Sequence, residues 1–171
     1  MNNLIYIFSG ILIAVVLNGC SGDASKSGRD FDFVLRYGVG GGNVVNTFDD
    51  TYTRDMIVEE DTTIHFELSD SEISDIRQMM EDIDIMDYPE VFDPPYSDSS
   101  ETGPGGTMMP YKIYELKIKM GDRTKEIIWH ASHDTIATKA VKLRNVLLQI
   151  IKLIHNKPEI KSLPEPKGAY L

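Results

Sequence analysis

One stretch constrains the fold more than any other. Residues 111–120, YKIYELKIKM, alternate in polarity, Gly121-Asp122 follows, and RTKEIIWH at 123–130 alternates again. Period-two patterning on both sides of a two-residue loop that begins with glycine predicts a β-hairpin closed by a type II′ turn. Pairing Met120 with Arg123 sets Tyr114 opposite Trp129, Leu116 opposite Ile127 and Ile118 opposite Lys125. The same register puts Lys117 opposite Glu126 on the other face. A single register that yields one apolar face and one charge-paired face is self-consistent, because a slip of one residue would turn every side chain over.

The rest of the chain supplies the partners for this hairpin. FDFVLRYG at 31–38, TYTRDMIV at 51–58 and TTIHFELS at 62–69 read as strands, with the acidic turn Glu59-Glu60-Asp61 between the last two. Ser69-Asp70-Ser71-Glu72 has the form of a capping box. Ile73, Ile76, Met80 and Ile83 then recur at helical spacing, which predicts a helix to about residue 85. A second helix over about 134–156 carries Ile136, Ala140, Leu143, Leu147, Ile150, Ile151 and Ile154 along one side, with Ser132 or Asp134 as its cap. The tail KPEIKSLPEPKGAYL should lie extended. Three strands, helix, hairpin, helix predict an α+β domain: a mainly antiparallel sheet of about five strands with two helices packed on one face.

The N-terminus carries a different signal. LIYIFSGILIAVVL at 4–17 is too short to span a bilayer but suits the core of a signal peptide. It runs into Leu17-Asn18-Gly19-Cys20, which resembles the lipobox of bacterial lipoproteins, and Cys20 is the sole cysteine. We therefore expect residues 1–19 to be a lipoprotein signal peptide, Cys20 the lipidated residue and 20–29 a flexible tether reaching roughly 17 Å. Two or more fatty chains, diacylglyceryl and palmitate-type, would anchor it durably. Residues 30–171 form the globular domain, held on the outward face of a plasma or outer membrane of the bacterial envelope. Without a second cysteine its stability must come from its core.

A formal net charge of -10 opposes binding to phosphate backbones and to anionic headgroups, so the implied membrane contact is the lipid alone and nucleic acid is not a partner. RYGVGGGNVVNTFDD at 36–50 invites a phosphate-loop reading, but its glycines lead into no helix and no lysine. Gly38 and Gly40 to Gly42 read instead as a tight reversal between strands. No cofactor is called for. His130, His133 and Asp134 in HASHD offer metal ligands if His65 approaches them, which is the basis of an alternative reading as a metal-dependent or carboxylate-based hydrolase. Ser132-His133-Asp134 is no triad, since consecutive side chains diverge.

The longest irregular stretch is 88–110, rich in proline and glycine. Loops of this length are uncommon unless functional or disordered. Tyr88, Phe92, Tyr96, Met108, Met109 and Tyr111 around it make a candidate recognition surface, or else plug the sheet edge. YGVGGGNVVNTF, DYPEVF, PYKIYELKIK and PEIKSLPEPKGAYL behind the lipobox resemble a group of small lipoproteins of bacilli and their relatives. The resemblance implies a lipid anchor and adds no catalytic residue. The expectation is a membrane-anchored extracytoplasmic module that binds another extracytoplasmic protein, in one form as an inhibitor or self-protection factor, and not an enzyme. A small-ligand carrier using the sheet face near Tyr114 and Trp129 is the weakest reading, because that face is needed to pack helices.

Overall fold

A computed structural model describes residues 29–95, 110–132 and 135–170; the apolar leader, Cys20 and most of the tether lie outside them. Six strands form one antiparallel sheet in the order β4-β3-β2-β1-β5-β6: β1 (Phe31–Val39), β2 (Asn43–Asn46), β3 (Thr51–Arg54), β4 (Thr62–His65), β5 (Lys112–Met120) and β6 (Arg123–Ala131). The β5–β6 register pairs Met120 with Arg123 and Tyr114 with Trp129, as the alternation requires. Positive φ falls on Gly121 (φ 60) and not on Asp122, which is the type II′ arrangement.

The sheet gains a strand over the five expected, and that strand is NVVN. The glycine stretch is a hairpin turn, with Gly38, Gly40 and Gly41 at φ 99, 64 and 70 and the Gly41 amide donating to the Gly38 carbonyl at 3.2 Å. Gly42 does not share that backbone; a Cβ there would run into the Asp55 side chain. Four residues bounded by two asparagines offer too little alternation to be recognised alone, and pairing with β1 makes them a strand. The third strand stops at Arg54 instead of 58, because Ile57 takes left-handed backbone (φ 67) and the Asp55 carboxylate accepts from the Ile57 amide at 2.8 Å. The fourth stops at His65, and Phe66 to Leu68 leave the sheet toward the helix.

Helix α1 (Asp70–Glu81) begins with the expected capping box: Ser69 Oγ accepts from the Glu72 amide, and the Glu72 carboxylate accepts from the Ser69 amide at 2.8 Å. It ends earlier than residue 85, where Asp84 in left-handed backbone (φ 54) opens a 3₁₀ turn at Ile85–Asp87. Helix α2 (Thr138–His155) also starts later than the sequence suggests. Its N-cap is Ala137 and not Ser132, while Asp134 lies outside the described residues, and the Thr135 hydroxyl accepts from the Ala137 amide at 3.2 Å. The tail is not simply extended. Pro158 at its first turn starts a short helix, α3 (Pro158–Lys161), where the missing N–H costs nothing.

Both long helices bury their apolar stripes on one sheet face. Phe33, Leu35, Leu116, Ile118 and Ile127 share one buried cluster with Ile76 and Met80 of α1 and Leu143, Leu147 and Ile150 of α2. The other face presents cross-strand ion pairs, Arg36 with Glu115 and Lys117 with Glu126, each at 3.5 Å. Helix α2 runs across the strands. Arg144 lies 5.5 Å over the Trp129 ring, and at the other end His155 Nε2 is 2.7 Å from the Tyr37 hydroxyl. Trp129, Tyr114 and Tyr37 form one cross-strand row beneath it.

Lys157 Nζ reaches the Glu72 carboxylate at 2.7 Å and so joins the start of α1 to the α2–α3 junction. Burial pushes the Glu72 carboxyl up, but the Lys157 ammonium and the Ser69 donors outweigh it and hold the group below the ordinary glutamate value. A depressed carboxyl stabilises the fold above its unfolded pKa and loses that contribution as pH falls through the folded value. Glu72→Gln should therefore flatten the decline in urea midpoint between about pH 5 and pH 3, and Glu72→Ala should cost about 1–2 kcal/mol at pH 7 through the lost cap and bridge. A variant as acid-sensitive as the parent would show that Glu72 is not linked to folding.

Candidate functional site at the distal end of the sheet

The strands give the molecule two distinct ends. The chain enters at Arg29, beside the Phe31 end of β1, where Arg29 lies within 3.8 Å of Asp32, 3.6 Å of Asp50 and 3.6 Å of Glu67. At the opposite end, Val39 of β1 pairs with Lys112, and Lys112 with Ala131. Both borders of segment 96–109 lie at this second, distal end. Pro95 O accepts from the Thr135 hydroxyl at 2.8 Å just past β6, and Pro110 stands two residues before Lys112, the first residue of the strand that pairs there.

The segment leading to Pro95 is packed chain, which corrects the reading of 88–110 as one loop. Its 90–92 stretch adds to the edge of β6: the Ile128 amide donates to Glu90 O at 2.7 Å and the Phe92 amide to Ile128 O at 2.8 Å. Tyr88 and Phe92, expected at a recognition surface, are 2% and 6% exposed. They belong to an aromatic stack, Tyr88–Phe92 at 5.2 Å, Phe92–Trp129 at 5.4 Å and Tyr114–Trp129 at 5.6 Å between centroids. The Tyr88 hydroxyl donates to Lys139 O at 2.9 Å. Bringing Trp129 to 1% exposure under α2 also removes the face on which a ligand carrier would depend. Tyr111 stays half-buried, its ring 5.9 Å from the His130 imidazole. Tyr96, Met108 and Met109 lie outside the described residues.

What the distal end exposes here was not singled out from the sequence. Val91 is 70% and Ile136 74% exposed. Beside them Pro89, Pro94, Pro95, Ala137 and Thr138 line an apolar groove of about 470 Å³. In the strand alternation Val91 is the outward neighbour of the buried Phe92, so its exposure follows only once the 90–92 stretch is known to pair with β6.

Across the same end, between β3, the end of α2 and the tail, a polar crevice of about 420 Å³ is lined by Asn43, Arg54, Asp55, His155, Lys161 and Tyr170 among others. The Arg54 guanidinium is committed to the tail, donating to Ile160 O at 2.9 Å, Leu163 O at 3.2 Å and Pro164 O at 3.1 Å. A cation against the last carbonyls of a helix satisfies groups that the helix itself cannot. Lys167 bonds Glu59 at 2.9 Å, and the Tyr170 hydroxyl donates to Asp55. Behind the lining residues His155 and Tyr52, the Tyr37 hydroxyl lies 2.7 Å from His155 Nε2 and 3.3 Å from the Tyr52 hydroxyl. Burial, with the Tyr52 hydroxyl beside it, pushes the Tyr37 phenol far up. Burial and the Arg54 charge push the His155 imidazole down, against a small opposing effect of Glu165. Both groups are therefore neutral at pH 7.

His65 and His130 of the hydrolase reading do not meet. His65 is on β4 and His130 on β6, the two edges of the sheet, about 24 Å apart across five inter-strand steps. His133 and Asp134 lie outside the described residues, and among the described residues no three His, Cys, Asp or Glu side chains gather as a metal site. No protein-family model matches the chain, and no curated protein sequence matches it.

Proposed function

We propose that the protein is a lipid-anchored extracytoplasmic interaction module, tethered through Cys20, that presents its distal end to another protein of the cell envelope. The observation that carries this reading is the separation of the two ends: the chain enters at Arg29, and both borders of segment 96–109 lie at the far end of strands about 27 Å long. A tether of roughly 17 Å attached at the Arg29 end would hold that end near the bilayer and direct the apolar groove outward. Among the described residues no helix is long and apolar enough to cross a membrane, so attachment in this reading rests on the lipid. Exposed apolar side chains beside a groove and rimmed by polar residues are the usual mark of a contact surface. A partner blocked at this end would make the protein an inhibitor or self-protection factor, a special case of the same reading.

The test is cross-linking of the full-length chain in its native membrane. A partner held by the distal end should be recovered with the parent and lost both on replacing residues 96–109 by a short Gly-Ser linker and in the double variant Val91→Asp, Ile136→Asp. The double variant should melt with the parent, since Val91 and Ile136 are exposed. Capture unchanged in both variants would remove the distal end from the function. Cys20→Ala should abolish the fatty-acid mass on the mature protein and release it from membranes; membrane retention without that mass would sink the anchor.

A further inference from the structure

We infer that the sheet face left uncovered by the helices binds a second copy of this chain, face to face, about a twofold axis running along the strands. The contact is independent of the interaction reading, whose groove uses other residues. Strand alternation turns one set of side chains away from the helices, and that set differs from the rest of the molecule in charge. Among the described residues of the sheet it carries three acids, Asp32, Glu115 and Glu126, and three bases, Arg36, Lys117 and Lys119, so it is neutral in a chain of net charge -10. All six lie on β1, β5 and β6. The other half, on β2 to β4, presents Val44, Asn46, Thr51, Thr53, Thr63 and His65, with no acid, lysine or arginine. The polar groups of the face are matched within the chain. Arg36 pairs with Glu115 and Lys117 with Glu126, Lys119 Nζ donates to Arg29 O at 3.0 Å, and the Thr53 and Thr63 hydroxyls bond each other at 2.8 Å. Matched groups lose less on burial than unmatched ones.

Aligned packing of two identical sheets leaves the twofold axis either across the strands or along them. An axis across the strands lays β5 and β6 over their own counterparts, like charges over like. An axis along the strands, between β1 and β2 at the middle of the six-strand order, lays β1, β5 and β6 of one copy over β2, β3 and β4 of the other. The charged half of each copy then meets the uncharged half of its partner, with Glu115 over Thr53 of the partner subunit. The same axis keeps both Arg29 ends on one side, so two copies tethered to one bilayer meet without either turning over. The face spans roughly 600 Å² per copy, or about 1,200 Å² for the pair, which reaches the low end of specific interfaces. Between the ion pairs, Val34 and Ile128 line a depression of about 230 Å³ that admits a side chain of the facing sheet. Confinement of both copies to a membrane raises their effective concentration and offsets the weakness of so small a contact.

Cysteine replacement in the full chain in its native membrane reads the axis directly, with a short bismaleimide as cross-linker and the parent, whose one cysteine is Cys20, as background. Strand β2 lies next to the axis, so Val44→Cys should give a covalent dimer. Ile128→Cys, at a position 38% exposed but on the outermost strand, sets the two thiols about 24 Å apart across five inter-strand steps and should stay monomeric. Val141→Cys, on α2, should also stay monomeric. With Val44→Cys in place, Thr53→Glu sets a carboxylate against Glu115 of the partner subunit and should cut the dimer fraction about fivefold, whereas Thr53→Lys should preserve it. Both replacements lose the same Thr63 hydroxyl bond, so their difference reports the contact and not the fold. No Val44→Cys dimer from folded protein, equal linking at Ile128→Cys, or equal effects of Thr53→Glu and Thr53→Lys would each overturn the assignment. A Val44→Cys thiol that stays monomeric yet is shielded from maleimide in membranes would overturn it too, by giving the face to a different protein.

Discussion

Replacing Phe92 by alanine should lower the free energy of unfolding by about 3–5 kcal/mol, whereas Val91→Asp one residue away should change it by about 0.5 kcal/mol or less. Phe92 is 6% exposed and packs edge-on against Tyr88 and Trp129. Its removal loses the transfer free energy of the ring, leaves a cavity, and forfeits two aromatic contacts worth about 0.5–1.5 kcal/mol each. Domains of this size are stable by only about 5–15 kcal/mol, so the variant should be near its limit at 37 °C. Urea unfolding followed by Trp129 fluorescence measures it directly. An unfolding midpoint like that of the parent would mean that Phe92 is a surface residue after all, and would return it to the contact surface.

The second large effect is expected at Thr47, where a buried polar network ties the turn between β2 and β3 to β1. Its hydroxyl accepts from the Phe33 amide at 2.8 Å and donates to the Asp32 carboxylate at 3.0 Å, with the Phe33 carbonyl an alternative acceptor at 3.2 Å. Thr47 and Asp32 are each 5% exposed. Thr47→Val keeps the shape but strands a buried amide and removes a donor from a buried carboxylate, for a cost of about 2–4 kcal/mol, since unsatisfied buried groups lose their full desolvation energy. Thr47→Ser keeps the hydroxyl and should cost only about 1 kcal/mol for the lost methyl. The difference between the two variants separates hydrogen bonding from packing. Equal destabilisation by both would show that the network contributes nothing beyond volume.

These two sites differ in how visible they are in the sequence. Phe92 sits among prolines and acids with no periodicity, so nothing local distinguishes an anchor from an exposed contact. Its burial comes from a single parallel bridge of the neighbouring Val91 with Ile128 at the edge of β6. Thr47 reads as an ordinary turn residue, and its role depends on β2 folding back beside β1, a strand too short to announce itself. The crevice residues Asn43, Arg54, Asp55, His155, Lys161 and Tyr170 are spread over more than half the chain, and no spacing relates them. Conversely, the hydrolase constellation looked compact in HASHD, yet strand order places His65 at the opposite edge.

Features that depend on near neighbours are legible in the residues: the hairpin register from alternation and a glycine-first turn, the capping box at Ser69, the apolar stripes of both long helices, and an α+β domain with one covered sheet face. These are set by backbone geometry over a few residues, where side-chain period and turn chemistry leave few choices. Tertiary structure alone decided the six-strand order, the burial of Tyr88 and Phe92, the separation of His65 from His130 and the assembly of the tail crevice. Each depends on which strands lie side by side, a choice governed by the summed burial of distant apolar surface, and no local pattern encodes that sum.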